Sequence, residues 1–355
     1  MSAITNALLT VIRWIYTIVH NHGWSIVIFT VLIRLLLVPL DVQSRKGMRK
    51  MQKIQPQLNA LQKKYANDRA KLQQKQSELM RKERYNPMSG CLPLLIQMPI
   101  LFAMFGAMRA VANEKIVEQV FTFLQGETPV YESWLWVKNI FMADSFFTPI
   151  APDLKSIQMI TNDVWQKVFA ALDPAQVELI VQNIQQKVPE FAGVLDFSTK
   201  DALQVSLPSI LTAMQAMPSY LAQIQPLPGW ANMNFFLFSV TVYQQFNGLL
   251  ILPVAAGLSQ LLMTKMNPQM AGQNTTAPAT TSGAAGAQTP GMGNFMKYFF
   301  PLFSVYICLT SNAGFALYWV VSNLMATGMN FLINLYFDRK EQQAEGLTNQ
   351  EGTVE

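Results

Sequence analysis

The run Ile33-Arg34-Leu35-Leu36-Leu37 places a permanently charged guanidinium inside an apolar stretch, where the surroundings make charge expensive. Such a residue is a functional candidate unless its side chain snorkels. Arg34 stands about 10 Å before Asp41 along a helix rising 1.5 Å per residue, so it can also reach towards a headgroup layer. A solvated cavity open on that side satisfies both readings. Gln97, Gln260, Ser304, Ser322, Asn323 and Asn330 add polar groups to other apolar stretches. Singly, each reads as an interhelical hydrogen-bonding group; together with Arg34 they would line a hydrophilic groove that weakens the lipid barrier for a polar segment. Tyr318 and Trp319 either grip an apolar segment or pack, and packing weighs slightly more for Tyr318. The 20 methionines suit a surface that accepts varied apolar partners, although core filling is the commoner use of this side chain.

Covalent chemistry finds no support. The chain has no Walker-type phosphate loop, no paired intramembrane carboxylates, no HExxH and no GxSxG elbow, so neither enzymatic activity nor a cofactor is predicted. His20 and His22 have no further histidine and no nearby cysteine to complete a metal site. Cys91 and Cys308 lie in separate apolar stretches, which suggests no disulfide framework.

The elements that must position these residues are membrane helices. Of the 355 residues, 51% are hydrophobic and 13% charged, against about a quarter charged in soluble globular proteins. The predicted fold is an all-α polytopic membrane protein: five transmembrane helices, a cytoplasmic helical hairpin and an N-terminal interfacial helix. The five spans are expected at residues 23–41, 87–113, 236–266, 296–310 and 315–338, with a tight extracytoplasmic turn at 311–314 between the last two. Residues 42–86 form the hairpin. Its stretch from Arg45 to Arg84 carries 13 of the 26 basic residues against three acids, which makes it cytoplasmic. Residues 114–235 hold six lysines against 12 acids and belong outside. The N terminus is therefore predicted outside and the C terminus inside the cell. The net charge of +5 follows from cytoplasmic loops and does not require nucleic-acid sequence recognition.

Residues 1–22 carry Ile4, Leu8, Val11, Ile12, Ile15 and Val19 at helical spacing, read as an amphipathic helix on the outer face. In the hairpin, Met51, Ile54, Leu58, Leu61 and Tyr65 build one apolar seam, Pro56 is expected to kink the helix, and Asn67-Asp68 opens a second helix carrying Leu72 and Leu79. The 114–235 insertion is expected to be mostly helical and membrane-associated. Asp173-Pro174 opens one helix there, and Ser198 or Thr199 another. Residues 267–295 read as a flexible cytoplasmic loop and 339–355 as a disordered tail.

The run Asn86-Pro87-Met88-Ser89-Gly90-Cys91-Leu92-Pro93-Leu94-Leu95-Ile96-Gln97-Met98-Pro99-Ile100 closely resembles the second core span of the YidC/Oxa/Alb insertase family. Ala316-Leu317-Tyr318-Trp319-Val320-Val321-Ser322-Asn323-Leu324 resembles its last core span, and Ile33-Arg34-Leu35 before Pro39-Leu40, with Ile54-Gln55-Pro56 in the hairpin, extends the match. The resemblance implies a membrane protein insertase and chaperone of the bacterial plasma membrane, with a hydrophilic groove open to cytoplasm and lipid. It implies that Arg34 lines this groove and that Trp319 faces substrate, with Gln97, Gln260, Tyr318 and Asn323 as further groove residues. It also implies that Arg45, Lys46, Arg49, Lys50, Lys53, Lys63, Lys64, Arg69 and Lys71 contact cytoplasmic partners. Those partners are nascent membrane proteins, with the ribosome and the Sec translocon beside them.

Two features depart from the longer family members. No large N-terminal β-domain is present, which resembles the short Gram-positive form, and the short tail has few basic residues for ribosome binding. A small-solute transporter or channel is the competing class, disfavoured by the absence of a visible inverted repeat or an intramembrane acid. A non-inserting assembly scaffold is the third.

Overall fold

The computed structural model describes residues 2–85, 88–235, 238–266 and 292–351. In chain order the helices are α1 (Ser2–Val19), α2 (His22–Lys64), α3 (Arg69–Lys82), α4 (Met88–Leu124), α5 (Leu154–Gln158), α6 (Asn162–Phe169), α7 (Pro174–Lys187), α8 (Lys200–Gln215) and α9 (Pro218–Leu221). A two-stranded antiparallel hairpin follows, β1 (Met233–Phe235) and β2 (Phe238–Val240), and then α10 (Ile251–Met266), α11 (Met292–Thr310) and α12 (Ala313–Glu351). Among the described residues, His22–Lys64 and Ala313–Gln343 are long and apolar enough to cross a membrane; Ile251–Met266 and Tyr298–Thr310 are shorter apolar helices.

The chain divides into two bodies. The first comprises Met1–Phe29, Ala103–Ala255 and Val305–Trp319. Its core is aromatic. Trp165 stacks on Phe197 at 5.5 Å between ring centroids, Phe121 meets Trp165 edge-on at 5.5 Å, and Phe123 meets Tyr220 edge-on at 5.3 Å. Aromatic pairs in these geometries add to the stabilisation from area burial. Phe121 and Phe123 belong to α4, which continues to Leu124 and does not stop near residue 113; the 114–235 segment folds around this extension and has a buried core of its own. Asn183 donates to the terminal Leu124 carbonyl at 2.7 Å. Helix α7 opens at Pro174, where the Gln176 side chain accepts from the Asp173 N–H at 3.0 Å, and α8 opens with Thr199 Oγ1 accepting from Ala202 N–H at 3.1 Å.

In the same body, one loop caps the starts of three helices, α2, α10 and α12. Helix N-termini leave N–H groups without intrahelical partners. At α2, Glu132 accepts from the His22 N–H and meets its ring Nδ1 at 2.6 Å, while Asn21 Oδ1 takes the Trp24 N–H at 3.1 Å. At α12, the carbonyls of Met142 and Ile140 take the N–H groups of Ala313 (2.8 Å) and Gly314 (3.0 Å), and Asn312 Oδ1 takes that of Phe315 (2.9 Å). At α10, the buried Asp144 carboxylate accepts from Leu249 and Leu252 N–H, each at 2.7 Å, and from Trp136 Nε1 at 3.1 Å. A negative carboxylate also complements the positive end of the helix dipole there. Asn139 and Asn247 brace the loop: Asn139 N–H donates to Asn247 Oδ1 at 2.7 Å, and Asn247 Nδ2 donates to the carbonyls of Asn139 and Ala143 at 2.9 Å each. Asn139 Nδ2 donates to Gln119 Oε1 on α4 at 3.2 Å. Helices α2, α10 and α12 therefore begin at this loop, and α4 ends near it.

Helix α1 joins the first body through Ile12 and Ile15, both buried, and through Arg13, which donates to Glu114 at 2.8 and 3.0 Å. Glu114 also accepts from Lys167 of α6 at 2.7 Å.

The second body comprises Thr30–Phe102, Ala256–Ser304 and Val320–Glu355. Here α2 runs through Pro39 and Pro56 as one helix and packs on α3 through Ile54, Leu58 and Met80, with Met51, Leu79 and Tyr85 at the margin. Asp68 caps α3 by accepting from Lys71 N–H at 3.0 Å.

Three sequence expectations are corrected. The third span does not start at residue 236: residues 238–240 are strand, and the helix begins at Ile251, because Asp144 binds the N–H groups at its mouth. The turn between α11 and α12 is Ser311-Asn312 alone. Residues 339–351 are helical and not a disordered tail: α12 runs on to Glu351, and Glu341 in it accepts from Arg49 and Lys53. Most of the 267–295 loop lies outside the described residues, as do Asn86 and Pro87 and the last four residues.

Replacing Asp144 by Ala should strand buried N–H groups at about 1–3 kcal/mol, read as a lower apparent Tm by intrinsic fluorescence in detergent. Gly248→Ala should have the same sign, since its methyl group would meet the Asp144 carboxylate.

Candidate functional site

The second body carries a line of polar side chains between α2 and α12. Arg34 Nε donates to Ser322 Oγ at 3.0 Å, and its Nη2 reaches the same hydroxyl. Next to Ser322, Asn323 donates through Nδ2 to Ser259 Oγ (3.2 Å) and Gln260 Oε1 (3.1 Å), which brings α10 into the cluster. Ser322, Asn323 and Ser259 are buried, and Arg34 is half-buried. Polar partners replace part of the hydration that the guanidinium loses here.

Further along, Arg45 Nε donates to Asn330 Oδ1 at 3.0 Å. Burial draws the Arg45 guanidinium down to about 10, opposed by the nearby Asp41 carboxylate, so it is still a cation at neutral pH. Arg49 Nη2 then donates to the Asn334 carbonyl (3.0 Å) and to Asp338 Oδ1 (2.5 Å), and its Nη1 to Glu341 Oε2 (3.3 Å). Lys53 Nζ donates to Glu341 Oε1 at 2.9 Å. Partner numbers rise together on both helices, so α2 and α12 run parallel in this body. At about 100° per residue, positions 34 and 45 of α2 return to nearly one face, and 49 and 53 follow at steps of about 40°.

The structure therefore gathers Arg34, Gln260 and Asn323, with Ser322 and Ser259 as their partners. Gln97, on α4, is half-buried in the same body. Tyr318 and Trp319 belong to the first body, where both lie against Phe315, with Trp319 at 5.7 Å between centroids. The Trp319 indole Nε1 is buried with no hydrogen-bond partner among the described residues. Among the basic residues read as partner contacts, Arg45 is buried, Arg49 and Lys53 are turned towards α12, Lys50 donates to the Arg84 carbonyl at 3.3 Å, and Lys71 pairs with Asp68 at 3.5 Å. Lys46, Lys63, Lys64 and Arg69 are exposed. Ser259, Asp338 and Glu341 were not singled out by sequence reasoning. Among the described residues no group of His, Cys, Asp and Glu is arranged to hold a metal ion.

An Arg45→Gln and Asn330→Ala double-mutant cycle should return a coupling of about 1.5–3 kcal/mol, the range for a hydrogen bond to a charged group. Thermal unfolding of the four proteins in one detergent measures it.

Comparison with known proteins adds the following. The model of the family described as 60Kd inner membrane protein matches residues 14–341. The protein named membrane protein insertase YidC from Fusobacterium nucleatum subsp. nucleatum is 34% identical over 187 residues, covering 53% of this chain and 79% of its own length. The protein of that name from Anaeromyxobacter dehalogenans strain 2CP-C is 38% identical over 154 residues, 43% of this chain and 25% of its own. That from Xylella fastidiosa strain M23 is 34% identical over 196 residues, 55% of this chain and 31% of its own. The chain thus spans most of the first relative and a third or less of the other two.

Proposed function

Because the chain belongs to the 60Kd inner membrane protein family, a family of bacterial inner-membrane insertases and chaperones and not of enzymes, we propose that it inserts nascent membrane proteins through a hydrophilic groove containing Arg34. The observation that carries this reading is the polar cluster of Arg34, Ser322, Asn323 and Gln260 on three otherwise apolar helices. Two buried hydroxyls in the same body, Ser44 Oγ and Thr327 Oγ1, have no protein partner among the described residues. Buried hydroxyls need a partner, and water entering from the cytoplasm would supply one.

The five-span topology belongs to the same reading. Helices α2, α10 and α12 begin at the 132–144 loop while α4 ends near it, which supports an alternating arrangement. The basic hairpin puts its own side in the cytoplasm, so the N terminus lies outside and the C terminus inside. Exposed Lys46, Lys63, Lys64 and Arg69 are available to ribosomal phosphates, and the chain acts alone or beside the Sec translocon.

In mechanism, an apolar substrate segment moves along lipid while its short polar flank enters the groove. There Arg34, hydroxyls and water replace part of the hydration that the flank loses, and the crossing is divided into smaller steps. Partitioning of the apolar segment supplies the drive, at about −0.3 to −0.6 kcal/mol for each centrally placed Leu, Ile, Phe or Val. Arg34 favours acidic flanks by Coulombic attraction in a partly desolvated site.

The test is reconstitution in liposomes with a single-span substrate whose short flank is acidic, read by protease protection. Arg34→Ala should lower the protected fraction about tenfold, the scale of one charge-assisted contact, and Arg34→Lys should fall between, since it keeps the charge without the planar fork. Equal protection with Arg34→Ala overturns the groove role. Solute flux without any protected fragment overturns the insertase reading.

A further inference from the structure

Building on the insertase reading, we propose that Arg49, with Lys53 beside it, is a binding site for the acidic flank of a substrate, and that Asp338 and Glu341 of the same chain occupy it until a substrate displaces them. The carboxylates already present show the chemistry that the site accepts. Arg49 holds Asp338 at 2.5 Å through Nη2 and Glu341 at 3.3 Å through Nη1, and Lys53 shares Glu341 at 2.9 Å. A planar guanidinium fork suits paired carboxylate oxygens better than a point charge does.

The two halves of this contact are unequal. The Arg49 side chain is only 19% exposed, braced by the Asn334 carbonyl at 3.0 Å and by the Phe337 ring, whose centroid is 5.2 Å from the guanidinium carbon. Asp338 and Glu341 are 56% and 48% exposed. The cation is thus built into the fold, whereas its anions stand in water. Exposed ion pairs contribute little, so a competing carboxylate of similar affinity can displace them. A flank tethered to an apolar segment already at the membrane presents such carboxylates at high effective concentration.

Position gives the exchange a direction. Arg49 follows Arg34 by about 22 Å along α2 and faces α12 as Arg34 does. An acidic flank meeting Arg49 first and Arg34 second would move from one cation to the next. The recessed setting of Arg49 fits a slender carboxylate side chain; a nucleic-acid backbone needs an open row of cations, which Lys63, Lys64 and Arg69 offer instead.

The full chain in liposomes receives two single-span substrates that differ only in a flank rich in Asp and Glu or in Asn and Gln, each carrying a photo-crosslinker in the flank. Mass spectrometry reads crosslinking to the 45–53 stretch. The paired substitutions Asp338→Asn and Glu341→Gln should raise the yield for the acidic flank roughly two- to fivefold and leave the neutral flank unchanged. Arg49→Gln should abolish the preference between flanks. No charge-selective change in either variant, or equal change for both flanks, overturns the proposal. So does stronger ribosome sedimentation with the Asp338/Glu341 variant without a change in flank crosslinking, which would assign Arg49 to RNA phosphate. Protease protection of the neutral substrate by the unaltered chain separates this failure from a failure of the insertase reading.

Discussion

The start of a helix leaves N–H groups without intrahelical partners, and something must accept them. In this protein the 132–144 loop does so for α2, α10 and α12, with Glu132, two main-chain carbonyls and Asp144. Each contact ties a helix start to one short stretch of chain, so their starts are fixed relative to one another within the first body. Gly23 and Gly248 follow from this constraint. At either position a methyl group would strike the loop, at Trp134 or at Asp144.

The second body has a different task. Its helices are apolar on their outer faces, as the exposed Leu32, Leu35, Leu36, Leu258 and Leu332 show, yet α2 carries a line of cations towards α12. Each cation has a partner of a different kind: a hydroxyl for Arg34, an amide for Arg45, carboxylates for Arg49. The Asp41 carboxylate also acts on Arg45, so the amide of Asn330 is not the only group that stabilises this buried cation. At Arg49 the guanidinium is recessed, whereas its carboxylate partners Asp338 and Glu341 stand in water.

The 114–235 segment is not a passive appendage of the loop. Its core grows on the extension of α4, through Phe121 and Phe123, and Glu114 at the base of that extension gathers Arg13 from α1 and Lys167 from α6. The same α4 supplies Gln119 to the asparagine pair that braces the capping loop. Folding of this segment and seating of the helix starts are therefore mechanically linked within the first body.

Local pattern was enough for several features. The sequence by itself determined the apolar runs, the charge asymmetry, the α7 start and the part of the hairpin seam formed by Met51, Ile54, Leu58 and Leu79, because capping residues and helical periodicity act over three or four neighbours; it left Ser198 or Thr199 open at the α8 start and did not mark Met80 or Tyr85 in the seam. It also singled out Arg34, since a charge among leucines is visible without coordinates. Only the tertiary structure decided where α10 begins, because its cap, Asp144, is more than 100 residues away in the chain. Only it placed Asp338 and Glu341 beside Arg49 and Lys53, which are about 290 residues away in the chain. Ser322 and Asn323 illustrate the same limit: both were visible as polar residues, but which cation or amide each would meet depended on helices that are neighbours in space and remote in sequence.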